Sequence, residues 1–377
     1  MQSFWSRLPK PFFAMAPMAD VTDPAWRGLV AELGKPDVTF TEFVSADGLY
    51  HLNGGELPSE HEPRKSGFGE RFATLHLASL SSTRHSSAPA RSLSENPLMR
   101  DLQFMEAERP IVAQFFTGKP EMAAYAARLA AELGFDGVDI NMGCPDRTIE
   151  HQGAGAALMQ NPGLAVELIR AAQEAVKKIP NQSYRPDSVF PISVKTRVGF
   201  NTEALDEWLA ALLAAKPAAI TLHLRTRKEM SQVPARWELM ERAVELRDKL
   251  APEVLLIGNG DVRDLEDARA KVAQTGCDGV MIGRGMFGNP WVFEGISGHP
   301  MSEHGLEEKL AALVELAHRF ERLSPPKHFA ILKKHIKAFV TGFDGAAELR
   351  ARLMEAGNDA DLERIVQRQG STLGSSD

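Results

Sequence analysis

The chain alternates short apolar runs, rich in β-branched and aromatic residues, with longer stretches whose apolar positions recur at helical spacing. The short runs cover residues 12–15, 38–43, 111–116, 137–141, 191–196, 219–224, 254–258 and 279–283. They are apolar nearly throughout, the pattern of parallel strands covered on both faces. Helical stretches between them cover 24–33, 119–133, 162–178, 203–215, 235–250 and 264–275. Asp264, with Asp267 three residues on, predicts an N-cap, and Asn161–Pro162 predicts an N-cap followed by proline at the first helical position. Eight strands with intervening helices predict an α/β fold, a (β/α)8 TIM barrel, for which roughly 250 residues are typical. A doubly wound open sheet is the alternative.

Two regions depart from the alternation. Residues 56–104 exceed the handful usual between two barrel elements. Within them, 79–94 (SLSSTRHSSAPARSLS) is Ser-rich with few large apolar residues and reads as a flexible excursion. From residue 306 the strand pattern stops, and 306–323, 327–340, 346–354 and 359–367 read as helices broken by Pro325–Pro326 and Gly342. The expected organisation is a barrel over 1–305 with an insertion at about 56–104, a small C-terminal helical domain over 306–368, and a disordered tail over 369–377.

A chain of 377 residues exceeds one average domain of roughly 100–200 residues, and 44% hydrophobic with 25% charged residues excludes disordered, collagen-like and coiled-coil chains. Its two cysteines, Cys144 and Cys277, cannot form a disulfide framework and point to a reducing cytoplasm. No apolar stretch approaches the roughly 18–20 residues of a membrane span. Arg7 and Lys10 precede an apolar run over 12–18 in the outline of a signal peptide, but the run is short, broken by Pro17 and followed by Asp20, so it reads as a buried strand. A net charge of −7 means that any nucleic acid must meet a local basic face.

In a barrel the chemistry belongs at the carboxyl ends of the strands. Those ends read Ala16–Pro17–Met18–Ala19, Glu42, Gln114, Asn141–Met142–Gly143–Cys144–Pro145, Lys195–Thr196–Arg197, His223, Asn259–Gly260–Asp261 and Gly283–Arg284–Gly285. One polar strand end is ordinary; the series points to a site. Gly283, Gly285 and Gly288 formally satisfy G-x-G-x-x-G, a weak signal without a further βαβ unit carrying an acidic residue some 20 positions on.

This series resembles the tRNA-dihydrouridine synthases. The resemblance rests on APMADVTD (16–23), SADGL (45–49), VAQFF (112–116), DINMGCP (139–145), VKTRVG (194–199), TLHLRTR (221–227), GNGDV (258–262) and GVMIGRGMFGNPW (279–291). It implies an FMN-binding barrel followed by a helical RNA-binding domain, FMN as cofactor, NADPH or NADH as reductant and tRNA as partner, with no metal, membrane or obligate protein partner. It also implies that Cys144 is the general acid, protonating carbon 5 of uracil while reduced flavin delivers hydride to carbon 6. A thiol with a pKa near ~8.5 is mostly protonated at neutral pH and suits that role. Cys277 precedes the eighth strand, on the opposite rim, and reads as structural.

Lys195 matches the family's flavin-binding lysine, and a cation at the pyrimidine edge favours the anionic reduced cofactor. Gln114 and His223 match flavin-contacting positions, and Pro17, Met18 and Ala19 match the segment packed against the ring. Asn259, Gly260, Asp261, Gly283 and Arg284 suit the FMN phosphate: glycine lets backbone N–H groups approach, and arginine binds it bidentately. Asn141 either reads the carbonyl and imino edge of the uracil or is a strand-end turn residue. Arg197, Arg225 and Arg227 either meet RNA phosphates or are solvated. In the helical domain Arg319, Arg322, Lys327, Lys333, Lys334 and Lys337, with His318, His328 and His335, form a basic cluster suited to an RNA backbone, whose alternative is a solvated helix face. Phe329 and Phe339 read as core.

Two departures from the family pattern stand out: the 56–104 segment, and Leu224 where many relatives have glycine after the histidine, which alters the approach to the pocket. Four histidines in or beside that segment (His51, His61, His76, His85) match no metal-site spacing. Two other readings compete: a flavin barrel reducing a small molecule without RNA, and a non-catalytic RNA-binding factor. The modified uridine, the nicotinamide preference and the oligomeric state are not legible in the sequence.

Overall fold

The computed structural model describes residues 3–55, 96–177, 179, 189–297 and 302–373. Eight parallel strands, β1 (Phe12–Met15), β2 (Thr39–Ser45), β3 (Ile111–Phe116), β4 (Gly137–Met142), β5 (Ile192–Arg197), β6 (Ala219–His223), β7 (Leu255–Asn259) and β8 (Gly279–Ile282), form one sheet in the order β1-β8-β7-β6-β5-β4-β3-β2. The outer strands of that order meet: Met15 N–H donates to Val38 O (3.0 Å) and Asp37 N–H to Phe13 O (2.9 Å). The sheet therefore curls into a TIM-barrel-like α/β fold, and the open doubly wound alternative is excluded.

The helices of this layer are α1 (Pro24–Leu33), α2 (Ala46–Leu52), α3 (Pro97–Arg100), α4 (Pro120–Glu132), α5 (Arg147–Glu150), α6 (Pro162–Val176), α7 (Leu205–Ala214), α8 (Glu238–Leu250) and α9 (Leu265–Thr275). The predicted caps are present: the Asp264 side chain accepts from Asp267 N–H and that of Asn161 from Leu164 N–H. The helix expected from 235 starts three residues later because Arg236 N–H is still engaged by Leu224 O.

Alternation along each strand divides the core in two. Phe13 and Met15 of β1 face outward into the layer shared with the helices, whereas Phe12 and Ala14 face inward with Phe40, Val112, Ile257 and Met281. Phe4 and Trp5 close the amino-terminal end, stacked at 4.6 Å, with Trp5 against Phe12 at 5.6 Å. That end is plugged by apolar rings, so an opening can form only at the carboxyl ends.

The C-terminal helices α10 (Leu306–Glu321), α11 (Lys333–Phe339), α12 (Ala346–Glu355) and α13 (Asp359–Leu373) follow. The single helix expected over 327–340 is broken into a 3-10 turn at Phe329–Ile331 and α11. The last helix runs past residue 367 to Leu373, so the expected tail starts later than 369, and residues 374–377 lie outside the described residues. The helices share the barrel's outer core: Trp26 of α1 stacks on His335 at 4.7 Å and meets Phe339 at 6.0 Å, and Leu313 and Leu316 belong to the same apolar cluster.

Residues 56–95, including the Ser-rich 79–94 and His61, His76 and His85, lie outside the described residues. Residues 96–104, the end of the expected insertion, pack onto the fold. Asn96 caps α3, Met99 and Leu102 are buried, and Phe104 packs on Phe135 at 4.7 Å.

Candidate active site

The inward-facing positions turn polar near the carboxyl ends of the strands. In-register pairing sets Asn141 beside Lys195, Arg197 beside His223, and His223 beside Asn259. Together with Pro17, Met18, Gly143, Cys144, Gly260, Asp261, Gly283 and Arg284 they line a cleft of about 270 Å³. Sequence reasoning passed over Phe43 and Ser231, which also line it and carry no chemical signature of their own.

The Cys144 turn is built on Asn141. The carboxamide oxygen accepts from the N–H groups of Gly143 (3.1 Å) and Cys144 (2.9 Å), and its Nδ2 donates to Gln114 Oε1 (3.0 Å). Gln114 Nε2 donates in turn to Asp139 Oδ2 (2.7 Å), whose other oxygen accepts from Ser193 Oγ (2.7 Å). Burial lifts Asp139 to about 6. With its oxygen committed to two backbone donors, Asn141 has one Nδ2 hydrogen left: it can donate to a carbonyl but cannot accept from an imino group. Burial also raises the Cys144 thiol above its ordinary value, which keeps it protonated.

Lys195 has no hydrogen-bond or ion-pair partner among the described residues, and burial followed by the nearby Arg197 charge pulls it down to about 8. His223 is pushed well below its ordinary value, first by burial and then by surrounding cations, so the ring is neutral. Arg225 Nη1 lies 3.1 Å from His223 Nε2. A guanidinium only donates, so Nε2 accepts and the ring hydrogen sits on Nδ1.

Arg284 lines the cleft with its side chain largely exposed, and Asp261 braces it at 2.6 Å while also pairing with Arg225 and accepting from Ala235 N–H (2.8 Å). The Asp261 side chain is thus the shared counter-charge of Arg225 and Arg284. Gly260 has φ 124, and a Cβ there would sit 2.8 Å from Ala235 Cβ and 3.2 Å from His223 Cδ2. The G-x-G-x-x-G match has a packing cause: a Cβ at Gly285 would lie 2.3 Å from Arg263 O, and one at Gly288 would lie 2.3 Å from Ala338 O.

The wall carrying Pro17 and Met18 is held from the C-terminal helices. Val21 N–H donates to Glu42 Oε1 (3.0 Å), and Glu42 Oε2 pairs with Lys327 Nζ (2.8 Å). The Lys327 side chain is 3% exposed and also meets Asp101 (3.2 Å) and Asp23 (3.8 Å). Burial lifts Glu42 to about 7 against the pull of Lys327. Lys334 reaches Asp20 at 3.0 Å, and the His335 ring contacts the Val21 backbone.

Several expectations change. Gln114 is fully buried behind Asn141 and is not on the cleft wall, and Ala19 is exposed outside it. Arg197 is a buried part of the cleft wall and no solvated arginine: it donates to the carbonyls of Gly143 (2.8 Å), Thr226 (3.1 Å) and Met230 (2.9 Å). Arg225 is buried on Asp261 and His223, and Arg227 pairs with Glu150. The basic cluster of the helices is largely consumed by acidic partners. Besides Lys327 and Lys334, Arg319 pairs with Glu32 (2.6 Å) and Glu315 (2.7 Å), His318 with Asp359 (2.8 Å), and His335 is buried. Lys337, His328 and most of Arg322 remain exposed. Leu224 points into the outer core and does not line the cleft. Cys277 is buried with Sγ 3.3 Å from Gly279 O, and Phe329 and Phe339 are core, as expected. Among the described residues no cluster could hold a metal ion, and no helix is long and apolar enough to cross a membrane.

A parallel α/β barrel whose carboxyl-terminal rim gathers a protonated thiol, an unpaired lysine and a braced arginine in one cleft is a rim-site barrel enzyme. The profile of the dihydrouridine synthase (Dus) family matches residues 14–66 and 80–371, and the chain belongs to this family of oxidoreductases. The profile leaves only 67–79 unmatched between those bounds, so most of the segment expected to lack a counterpart has one. The chain is 34% identical over 369 residues to the probable tRNA-dihydrouridine synthase 2 of Bacillus subtilis (strain 168), covering 97% of this chain and 96% of that protein. It is 35% identical over 369 residues to the probable tRNA-dihydrouridine synthase of Staphylococcus aureus (strain MRSA252), covering 97% and 95%. Among solved structures it is similar to morphinone reductase, 13% identical with a TM-score of 0.47 over 81% of this chain and 91% of that one.

Proposed function

We propose that the protein reduces uridines in tRNA to 5,6-dihydrouridine with FMN held in the rim cleft. The observation that carries this reading is the placing of protonated Cys144 on the wall that Lys195 and His223 also line. The cleft fits the cofactor. Arg284, aimed by Asp261, and the backbone at Gly260 and Gly283 suit the phosphate; Lys195 suits the electron-rich edge of the ring; His223 offers a neutral Nδ1–H donor; Pro17 and Met18 offer an apolar face.

When bound and reduced by NADPH or NADH, the flavin supplies the hydride for carbon 6 of the uracil. Cys144 donates its proton to carbon 5, completing the addition of two hydrogens across the double bond, and it needs no depressed pKa because it acts as acid and not as nucleophile. The remaining Nδ2 hydrogen of Asn141 donates to a uracil carbonyl, and Gln114 holds that amide in place. The uracil leaves its stack to reach the cleft, as bases do in other enzymes acting on them. Exposed Lys337, Arg322 and His328 meet RNA phosphate on the helical side. A tRNA substrate places the reaction in the cytoplasm, and the reading invokes neither a metal nor a second protein.

The purified protein should be yellow and should form dihydrouridine in tRNA from cells lacking it, read by mass spectrometry of digested RNA. Cys144→Ala should keep the flavin and lose dihydrouridine. A colourless protein without flavin affinity, or Cys144→Ala working at the native rate, would sink the reading. Equal turnover of free uridine without RNA would favour the small-molecule alternative.

A further inference from the structure

The turn between β6 and α8 is anchored at many points and yet presents apolar side chains to solvent. Arg197 Nη1 donates to the carbonyls of Thr226 and Met230, and Arg225 Nε donates to that of Val233 (2.5 Å). Glu229 accepts from Thr226 N–H (2.7 Å) and pairs with Arg236 (3.0 Å). A turn held this way cannot swing its side chains inward. Met230 is 41% exposed and Val233 38%, and these are two of the six exposed large hydrophobic residues among those described. Met230 also has φ 55, a left-handed backbone that favours glycine or asparagine. Such strain persists where the surroundings impose it, and it clusters at functional sites. The next residue, Ser231, lines the cleft.

We propose that Met230 and Val233 form an apolar wedge that packs against the RNA base next to the target uridine and fills the stack that the uridine vacates. The inference rests on the tRNA reading above. A base that leaves its stack uncovers the face of its neighbour, and apolar side chains inserted at such steps cover it. Every base has a π-face, so the contact tolerates sequence variation. Arg197 also sets the spacing: its Nε donates to Gly143 O, next to Cys144, while its Nη1 holds Met230 O. One buried side chain thereby ties the wedge to the acid.

The test compares the native protein with Met230→Asn, which tolerates the left-handed backbone, and with Met230→Asn combined with Val233→Ser. On a tRNA transcript the double variant should raise KM roughly tenfold, the scale of one lost base contact. On a short single-stranded oligouridine, whose bases are already unstacked, its KM should rise far less. Met230→Asn should melt no lower than the native protein. An unchanged KM on tRNA, or an equal rise on both substrates, overturns the wedge and leaves the uridine-reductase reading standing. A native protein that forms no dihydrouridine in any tRNA overturns that reading and the wedge with it.

Discussion

The carboxamide oxygen of Asn141 accepts the backbone N–H of Cys144 at 2.9 Å, so the next-to-last residue of β4 also shapes the turn that presents the thiol. This is an Asx turn, in which a short amide side chain takes the place of a backbone acceptor. Of the two readings left open by the sequence, the turn is present: the oxygen builds it, and one Nδ2 hydrogen has no partner among the described residues.

Asn141→Ala should expose that arrangement. It leaves two backbone donors and Gln114 Oε1 without their partner, and each unsatisfied buried group costs about 1–3 kcal/mol. Its melting temperature should fall measurably, and dihydrouridine formation should fall further. Asn141→Asp keeps the acceptor and loses the donor. It should melt above Asn141→Ala while being as inactive, and equal melting of the two would refute the turn role.

Lys195 makes a prediction with a definite sign. Its amine lies near 8 in the folded chain and near 10.5 unfolded, so the penalty for burying the charge is fully present below pH 8. Between 8 and 10.5 the unfolded chain binds more protons, so stability contributed through this group rises with pH. A shift of that size corresponds to on the order of 3 kcal/mol. Lys195→Met should therefore raise the melting temperature of the flavin-free protein at pH 7 while weakening flavin binding more than tenfold, on the order of 1.4 kcal/mol. A lower melting temperature would contradict the assignment.

The Cys144 thiol, raised above its ordinary value by burial, should alkylate slowly. At pH 7.5 iodoacetamide should modify it more slowly than a free cysteine of pKa ~8.5, because the thiolate is the nucleophile. Peptide mapping separates it from buried Cys277. Uridine reduction should lose the acid only at a pH above the titration of an ordinary thiol, and fast alkylation at neutral pH would be the contrary result.

Lys327→Met should be among the more damaging changes at residues that do not line the cleft. It strips the cation from Glu42, Asp23 and Asp101, and breaking a buried pair by removing one partner costs about 3–5 kcal/mol. Glu42 sits near 7 folded and 4.5 unfolded, so the folded chain holds a proton that the unfolded chain releases, and stability falls as pH rises across that window. The loss should thus be larger at pH 8 than at pH 5.5 in denaturant titrations, and Glu42→Gln should restore part of it. Flavin affinity should drop with it, since Glu42 holds Val21 and the wall that follows β1.

Much of the architecture was legible along the chain. The runs at 12–15 and 111–116 are strands with those bounds, and 24–33 is a helix with those bounds. The inward polar positions Asn141, Lys195, His223 and Asn259 were readable because a strand places alternate residues on one face. The basic helical cluster misled for an equally physical reason. Lys327, Lys334 and Arg319 lie close together in sequence, but their acidic partners Glu42, Asp20 and Glu32 lie some three hundred residues away, beyond any local pattern.

The sequence by itself determined the order of strands and helices, the face each residue takes and the family motifs at the strand ends, because these follow from backbone periodicity and short-range spacing. Only the tertiary structure decided which polar groups reach the cleft and which serve behind it. It set Gln114 behind Asn141, turned Arg197 onto three carbonyls, left Lys195 unpaired and lifted Glu42. Those outcomes depend on desolvation and on partners from distant strands, and both exist only once the barrel has closed.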